Sequence, residues 1–303
     1  MTRYHPIKAY RTANGVVFTE LSRNGDYRGT IEIACGQCIG CRMRRASDWS
    51  LRVMHEASLW DDNCFVTLTY GRDKLPPHGS LCHEDYQKFM KRVRKKYGLV
   101  RYYMAGEYGP ENGRPHYHSC LFNVGFRDDR EPVGRSASGE VFYNSPVLEE
   151  LWGHGNVSVQ DLTPGTASYT ARYIMKKALG EAAKTAYQVV TEDGEIVQLA
   201  PEYAAMSLKP GIGAGWLERY TKDVYRFDYV VEDGVKRPAP KYYDKLFKRR
   251  SGPVVVGDKL VPDQFDEIEY ARVKRAEALR GNCTDERLAV RERVHLAKVR
   301  TFL

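Results

Sequence analysis

The sequence predicts an α+β fold, a ferredoxin-like layer in which helices flank an antiparallel sheet, with additions at both ends. Three observations predict it. Short strand-like segments recur at Phe65–Tyr70, Arg101–Tyr108, His116–Asn123 and Asn156–Leu162, the last with the alternating pattern of a strand. Between the first two, His83–Tyr97 places Tyr86, Phe89, Met90 and Val93 on one helical face. Pro110, Asn112-Gly113 and Pro115 mark a tight connection between the second and third strands. Strand, helix, strand, strand, short helix, strand, helix is a split βαβ order with an antiparallel hairpin, which favours this layer over a doubly wound sheet.

Each element has its own justification. Residues 1–34 lack clear periodicity and are expected to form a short arm or hairpin around Val16-Val17-Phe18 and Gly29-Thr30-Ile31-Glu32-Ile33. Residues 42–60 read as a helix with Trp49, Val53, Ala57 and Trp60 on one face. The polar run from Arg127 to Gly139 reads as an exposed loop, and Val147–Trp152 as a short helix. After the strand Asn156–Leu162, Thr163 suits an N-cap and Pro164 the first turn of a helix over about 164–179. Tyr187–Leu199 predicts a hairpin turning at Glu192-Asp193-Gly194, and Asp228–Arg237 another.

Between those hairpins, Lys209-Pro210-Gly211-Ile212-Gly213-Ala214-Gly215-Trp216 leads into a helix ending near Tyr225. Small residues there would let amides approach a phosphate, or would make a tight turn that docks the helix. Lys236–Arg250 interleaves cations and aromatics, which suits phosphate contacts with base stacking or a solvated basic face. Gln264–Leu303 is charged and helix-prone, with few apolar positions. The expected division is 1–60 as arm, Cys cluster and helix, 61–180 as core, and 181–303 as a C-terminal extension that packs on the core and binds DNA.

Composition narrows the class of function. The chain has 303 residues and a formal net charge of +8, which favours a polyanionic partner. No apolar run approaches a membrane span, and Met1-Thr2-Arg3-Tyr4-His5-Pro6 opens without a signal-peptide core. Seven cysteines, three of them clustered, argue for a reducing compartment rather than a disulfide scaffold. No Gly-x-x-x-x-Gly-Lys-Ser/Thr loop occurs, so the chain carries no nucleotide-driven helicase of its own.

The first candidate site lies on the hairpin. His116 and His118 flank Tyr117 and therefore share one face of a strand. A turn through Pro110 and Gly113 can bring Glu107 beside them. Two imidazoles and a carboxylate hold a divalent ion while leaving positions open for a phosphate. The plainer alternative is two half-exposed histidines on a strand. The second candidate is the later helix, where Tyr169 and Tyr173 are one turn apart and are followed three residues on by Arg172 and Lys176. A nearby cation or metal would stabilise a phenolate. The alternative is an amphipathic helix packing its tyrosines on the sheet.

The His-hydrophobic-His strand, the Glu on the strand before it and the Tyr-x-x-x-Tyr-x-x-Lys helix together resemble the HUH endonucleases that initiate rolling-circle replication. Cys64-Phe65-Val66-Thr67-Leu68-Thr69-Tyr70 looks like that family's Thr-rich first motif. The order of Thr-rich strand, His pair and tyrosine helix is that of replication initiators. The paired tyrosines and Cys35-Gly36-Gln37-Cys38-Ile39-Gly40-Cys41-Arg42 look most like the initiators of small single-stranded DNA phages, the gokushovirus group of microviruses. The resemblance covers roughly residues 35 to 220.

It implies an HUH endonuclease core over residues 61–180 and a metal-dependent nicking and rejoining of single-stranded DNA at a viral replication origin. Glu107, His116 and His118 would hold Mg²⁺ or Mn²⁺. Tyr173 and Tyr169 would be the nucleophiles, with Tyr173 favoured for the first cut because Lys176 follows it. Thr67, Thr69, Arg172, Lys177 and Lys241 are expected to contact DNA, with the Thr67 and Thr69 hydroxyls on a face away from the apolar packing. A host helicase and polymerase would complete replication in the bacterial cytoplasm. Cys35, Cys38 and Cys41 are spaced for a structural Zn²⁺, with His55, Cys64, Cys82 and His83 as fourth ligands by type, against three reduced thiols. Two other classes stay open: an HUH transposase-like strand transferase, and a non-catalytic zinc-stabilised DNA-binding protein.

Overall fold

A computed structural model describes residues 4–12, 15–19, 29–109, 112–136, 139–176, 185–250, 254–256, 259–261, 264–278 and 280–300. The chain divides into two compact units, residues 1–45 with 251–303, and residues 46–250.

In the first unit, β1 (Pro6–Thr12) lies between β2 (Gly15–Val17) and β3 (Thr30–Ala34), antiparallel to both. The segments around Val16 and Ile31 therefore do not pair with each other as a hairpin would require. Each pairs with a strand that periodicity did not reveal, because Ala9 and Tyr10 are adjacent and both buried. The helix α1 (Ile39–Ala57) begins three residues earlier than position 42. Near the C-terminus a short hairpin, Val254–Val256 with Lys259–Val261, precedes two helices, Gln264–Ala278 and Asp285–Arg300.

The second unit is built on one seven-stranded antiparallel sheet. Six of its strands are β4 (Asn63–Thr69), β5 (Arg101–Tyr108), β6 (Pro115–Phe122), β7 (Glu131–Arg135), β8 (Val141–Asn144) and β9 (Val157–Asp161). A small separate hairpin follows, β10 (Gln188–Val190) with β11 (Ile196–Gln198), and then the seventh strand, β12 (Tyr203–Met206). The order across the sheet is β12-β5-β6-β4-β9-β8-β7. The central run β5-β6-β4-β9, with α2 (His83–Tyr97) after β4 and α3 (Pro146–Trp152) before β9, is the ferredoxin-like order expected. The hairpin expected within Asp228–Arg237 forms between Val230–Glu232 and Val235–Arg237.

Strand alternation gives the sheet two faces, and both are packed. Cys64, Val66 and Leu68 of β4 join Met104, Tyr117 and Leu121 beneath Tyr86, Phe89 and Met90 of α2 and Leu148 and Trp152 of α3. The opposite face carries Phe65, Tyr103, Cys120 and Phe122 against Val53 and Ala57 of α1, Ala167 and Ile212. The Thr67 and Thr69 face is therefore not free of apolar packing, as the sequence had suggested. Its far end is covered by helices and carries the Arg101–Glu56 ion pair, and the end near the β5–β6 turn carries Glu107, His116 and His118.

Two further departures have a common cause. Part of the expected loop Arg127–Gly139 is the edge strand β7, with a bulge between Pro132 and Gly134. Strand β12 adds to the outer side of β5. β7 is exposed along nearly its whole length, with a Pro that an edge tolerates, and all four residues of β12 are half-buried, so neither shows an alternating pattern.

The Gly-rich segment before α5 (Ala214–Phe227) is a docking turn. The Gly213 N–H donates to Glu56 Oε2 at 2.7 Å, Arg101 Nη2 donates to the Pro210 carbonyl at 2.6 Å, and Arg52 Nε donates to the Ile212 carbonyl at 3.0 Å. Glu56 and Arg101 are themselves a buried ion pair at 2.7 Å. The anion at this turn is thus the chain's own carboxylate. In α6 (Lys241–Arg250), Tyr243 and Phe247 are buried, Tyr242 stacks on the Arg52 guanidinium at 3.9 Å, and Lys241, Lys245 and Arg249 are exposed. Its aromatic half belongs to the core and its cationic half to solvent.

Candidate metal and tyrosine site

Strand register assembles the candidate ligands. Across β5, β6 and β4, Glu107 opposes His116, which opposes Thr69, and Ala105 opposes His118, which opposes Thr67. Directly opposed residues of antiparallel strands share a face, with Cβ atoms about 4.5–5.5 Å apart. Glu107, His116, His118, Thr67 and Thr69 are therefore neighbours by construction. A one-residue slip of β6 would send both histidines to the other face, away from Glu107.

The three ligand types converge on a single carboxylate oxygen. Glu107 Oε1 lies 2.7 Å from His116 Nε2 and 3.0 Å from His118 Nε2. Glu107 and His118 are buried and His116 is half-buried. The other ring nitrogens face outer partners: His116 Nδ1 sits 3.1 Å from the Arg114 carbonyl, and His118 Nδ1 3.0 Å from Thr67 Oγ1. A carbonyl only accepts, so His116 Nδ1 carries a proton. A neutral His116 then turns its Nε2 lone pair toward a carboxylate oxygen, and two acceptors at 2.7 Å need a cation between them. Either a second proton or a metal ion meets that need. Imidazoles braced through the far nitrogen are the usual ligands of a divalent metal, and the donor set N, N, O fits one. Burial pushes the Glu107 carboxyl up, but the two histidines outweigh it and hold it below its ordinary value.

The tyrosine helix α4 (Pro164–Lys176) is fastened at its start by the expected cap. The Thr166 N–H donates to Thr163 Oγ1 at 3.2 Å, while the Thr163 N–H donates to Thr166 Oγ1 at 2.9 Å, a reciprocal capping arrangement. Small buried residues, Ala167, Thr170 and Ala171, let the helix lie close to β5 and β6. Tyr169 stands beside that seam, 39% exposed, with its ring edge-on to His118 at 5.1 Å between centroids.

Phe65 was absent from the sequence-derived site. It stacks on His118 at 5.6 Å and meets the Tyr169 ring edge-on at 6.1 Å. Its signal was available, since alternation puts Phe65 on the face of Thr67 and Thr69. The Arg114 carbonyl had no such signal, because any residue could supply it.

The other expected residues are less concentrated. Tyr173 and Lys176 are on α4, but their side chains lie outside the described residues, as does the whole of Lys177. Arg172 is half-buried, with Nε 3.4 Å from the Ser168 carbonyl. Lys241 is an exposed cation at the start of α6. Cys35, Cys38 and Cys41 cluster within the first unit, whereas Glu107, His116 and His118 belong to the second.

An α+β sheet with a His, His, Glu cluster on one face and a tyrosine helix beside it defines a class, and comparison with known proteins agrees. The family model for replication-associated proteins of the ORF2 type matches residues 63–178, and the chain belongs to that family of replication-associated proteins. It is similar to replication-associated protein VP4 of Bdellovibrio phage phiMH2K, 33% identical over 80% of this chain and 76% of the relative. Replication-associated protein ORF2 of Spiroplasma virus 4 is 32% identical over 75% of this chain and 71% of that protein. Replication-associated protein ORF4 of Chlamydia phage 1 is 27% identical over 72% and 54%. The resemblance to the initiators of small phages read from the motifs is thereby borne out. No solved structure matches. Among the described residues no helix is long and apolar enough to cross a membrane.

Proposed function

We propose that this protein is a metal-dependent endonuclease and strand transferase that nicks and rejoins single-stranded DNA at a viral replication origin. The observation that carries the reading is the convergence of His116 Nε2 and His118 Nε2 on Glu107 Oε1, with the exposed Tyr169 ring against His118. A divalent ion such as Mg²⁺ or Mn²⁺, held by these three residues, would polarise a phosphate oxygen. The tyrosine phenolate attacks phosphorus, the bond to the 3′-oxygen breaks, and that oxygen takes a proton. A 5′-phosphotyrosyl link and a free 3′-hydroxyl result. The same exchange run backwards reseals the strand, because one ester replaces another.

Tyr169 and Tyr173 are the two nucleophiles in this reading, one helical turn apart, with Lys176 and Arg172 as their cations. Thr67 positions His118. Thr69, Lys177 and Lys241 are assigned to the DNA backbone, and a host helicase and polymerase in the bacterial cytoplasm would supply unwinding and synthesis. The test uses the full chain, an origin oligonucleotide and Mn²⁺. His116→Ala or His118→Ala should reduce cleavage by more than about 100-fold while salt-sensitive DNA binding persists. Tyr169→Phe and Tyr173→Phe should each retain some single-turnover cleavage and the double variant none. Mass spectrometry of the trapped adduct identifies the attacking residue. Cleavage surviving in the double tyrosine variant overturns the mechanism.

A further inference from the structure

We infer that Cys35, Cys38 and Cys41 form a second metal centre, a zinc thiolate site that staples the unit built from the two ends of the chain. This inference stands apart from the nicking reading, and either can fail without the other. The three Sγ atoms lie within 4.8 Å of one another, and all three cysteines are free. Cys35 Sγ and Cys41 Sγ are 3.9 Å apart, far beyond a disulfide bond of about 2.05 Å. Thiolates bound tetrahedrally to zinc at about 2.3 Å stand roughly 3.8 Å from each other. The sulfurs are therefore spaced as ligands of one ion.

The backbone around them is shaped for the same purpose. Gly36 has φ +77, a left-handed turn between the first two cysteines that a side chain would strain. That turn aims the Cys38 N–H at Cys35 Sγ, 3.3 Å away. Cys41 falls in the first turn of α1, three residues after Cys38, so one turn of chain and one turn of helix bring the three sulfurs together.

A second, independent observation says why the unit needs a staple. Its buried apolar residues, among those described, are Tyr4, Ala9, Tyr10, Cys38 and Leu288. Tyr4, Cys38 and Leu288 form one small cluster with Cys35, Ile39 and Cys41 packed on it, and Tyr4 Oη hydrogen-bonds His295 Nδ1 at 2.9 Å. Among the described residues this is a small buried set, and small cores are commonly secured by a structural metal. The cysteines sit where the start of the chain and the last helix meet.

Among the described residues, no fourth His, Cys, Asp or Glu joins this cluster. Three of the four ligands suggested by type are committed elsewhere. His55 and His83 each give a ring nitrogen to a tyrosine hydroxyl, of Tyr243 and Tyr203. Cys64 is wholly buried in the sheet's core.

The test is zinc content of the purified full chain by plasma mass spectrometry. The His116→Ala/His118→Ala variant, in which the other candidate site is dismantled, should keep one zinc per chain. Adding Cys38→Ser should reduce it to background. Zinc that vanishes with the histidines, zinc that survives Cys38→Ser, or a disulfide among the three cysteines overturns the proposal. Should the serine variant fail to fold, the wild-type chain is stripped with chelator and reloaded with Co²⁺. A thiolate-to-cobalt charge-transfer band is expected, and its absence overturns the site. Chelation should also expose the Asp285–Arg300 helix to protease, and unchanged protection after metal loss overturns the stapling role.

Discussion

Thr67 is the side chain through which the sheet holds His118. Its Oγ1 meets His118 Nδ1 at 3.0 Å, which leaves Nε2 to face Glu107. Outer partners of this kind are worth about 10- to 100-fold in metal affinity or activity. Thr67→Val, which keeps the branched shape, should weaken Mn²⁺ binding by about that factor in a calorimetric titration, and Thr67→Ser should recover most of it. Equal affinity in the valine variant removes the positioning role. A different histidine reports on stability. His55 stacks on Trp216 at 3.6 Å between centroids, and its burial pushes the imidazole down from 6.5 to about 4. The unfolded chain takes up this proton below about pH 6.5, while the folded chain resists it until about 4. Between those values the unfolded state binds more protons, so stability falls as pH falls, by roughly 3 kcal/mol in all. Denaturant titrations should show a shallower acid slope for His55→Gln than for wild type across that window. Parallel slopes would show that His55 does not titrate there.

At the scale of elements, the turn before α5 trades side chains for close approach. Gly213 has φ +78, and a β-carbon there would collide with the Tyr243 hydroxyl. Gly213→Ala should therefore cost about 2–4 kcal/mol, from the left-handed backbone and from overpacking. Gly281→Ala, whose β-carbon would meet open space, should stay within about 0.5 kcal/mol of wild type. Chemical denaturation of both variants checks the contrast. A neutral Gly213→Ala would mean that the turn moves freely and that its bonds to Glu56, Arg52 and Arg101 do not hold it.

Across the whole molecule, part of the net charge of +8 lies on α6, where five cations outnumber the single acid Asp244. On α5 and α6 the apolar residues Leu217, Val224, Tyr225, Tyr243 and Phe247 turn inward, leaving Arg219, Lys222, Lys241, Lys245 and Arg249 exposed. Each cation that neutralises a phosphate of single-stranded DNA steepens the salt dependence of binding by about 0.7. Lys241→Ala/Lys245→Ala should lower the slope of log K against log salt by about 1.4 if both touch phosphates, measured by anisotropy with a single-stranded oligonucleotide. An unchanged slope would remove α6 from the DNA path.

Much was legible in the chain itself because some patterns are local. Alternation alone put His116 with His118 and Thr67 with Thr69, and the helix over His83–Tyr97 buries the four residues its periodicity named. The order of strands and helices carried the ferredoxin-like core. Other features depended on partners distant in sequence. The register of β4, β5 and β6 placed Glu107 at His116, and packing brought Phe65 against both His118 and Tyr169. Glu56 decided that Gly213 docks a helix, and packing turned Tyr243 and Phe247 inward. The edge strands β7 and β12 became visible only once the sheet offered them a neighbour. Periodicity determines which residues share a face within one element, whereas the meeting of two faces depends on what must be buried, and that only the assembled structure decides.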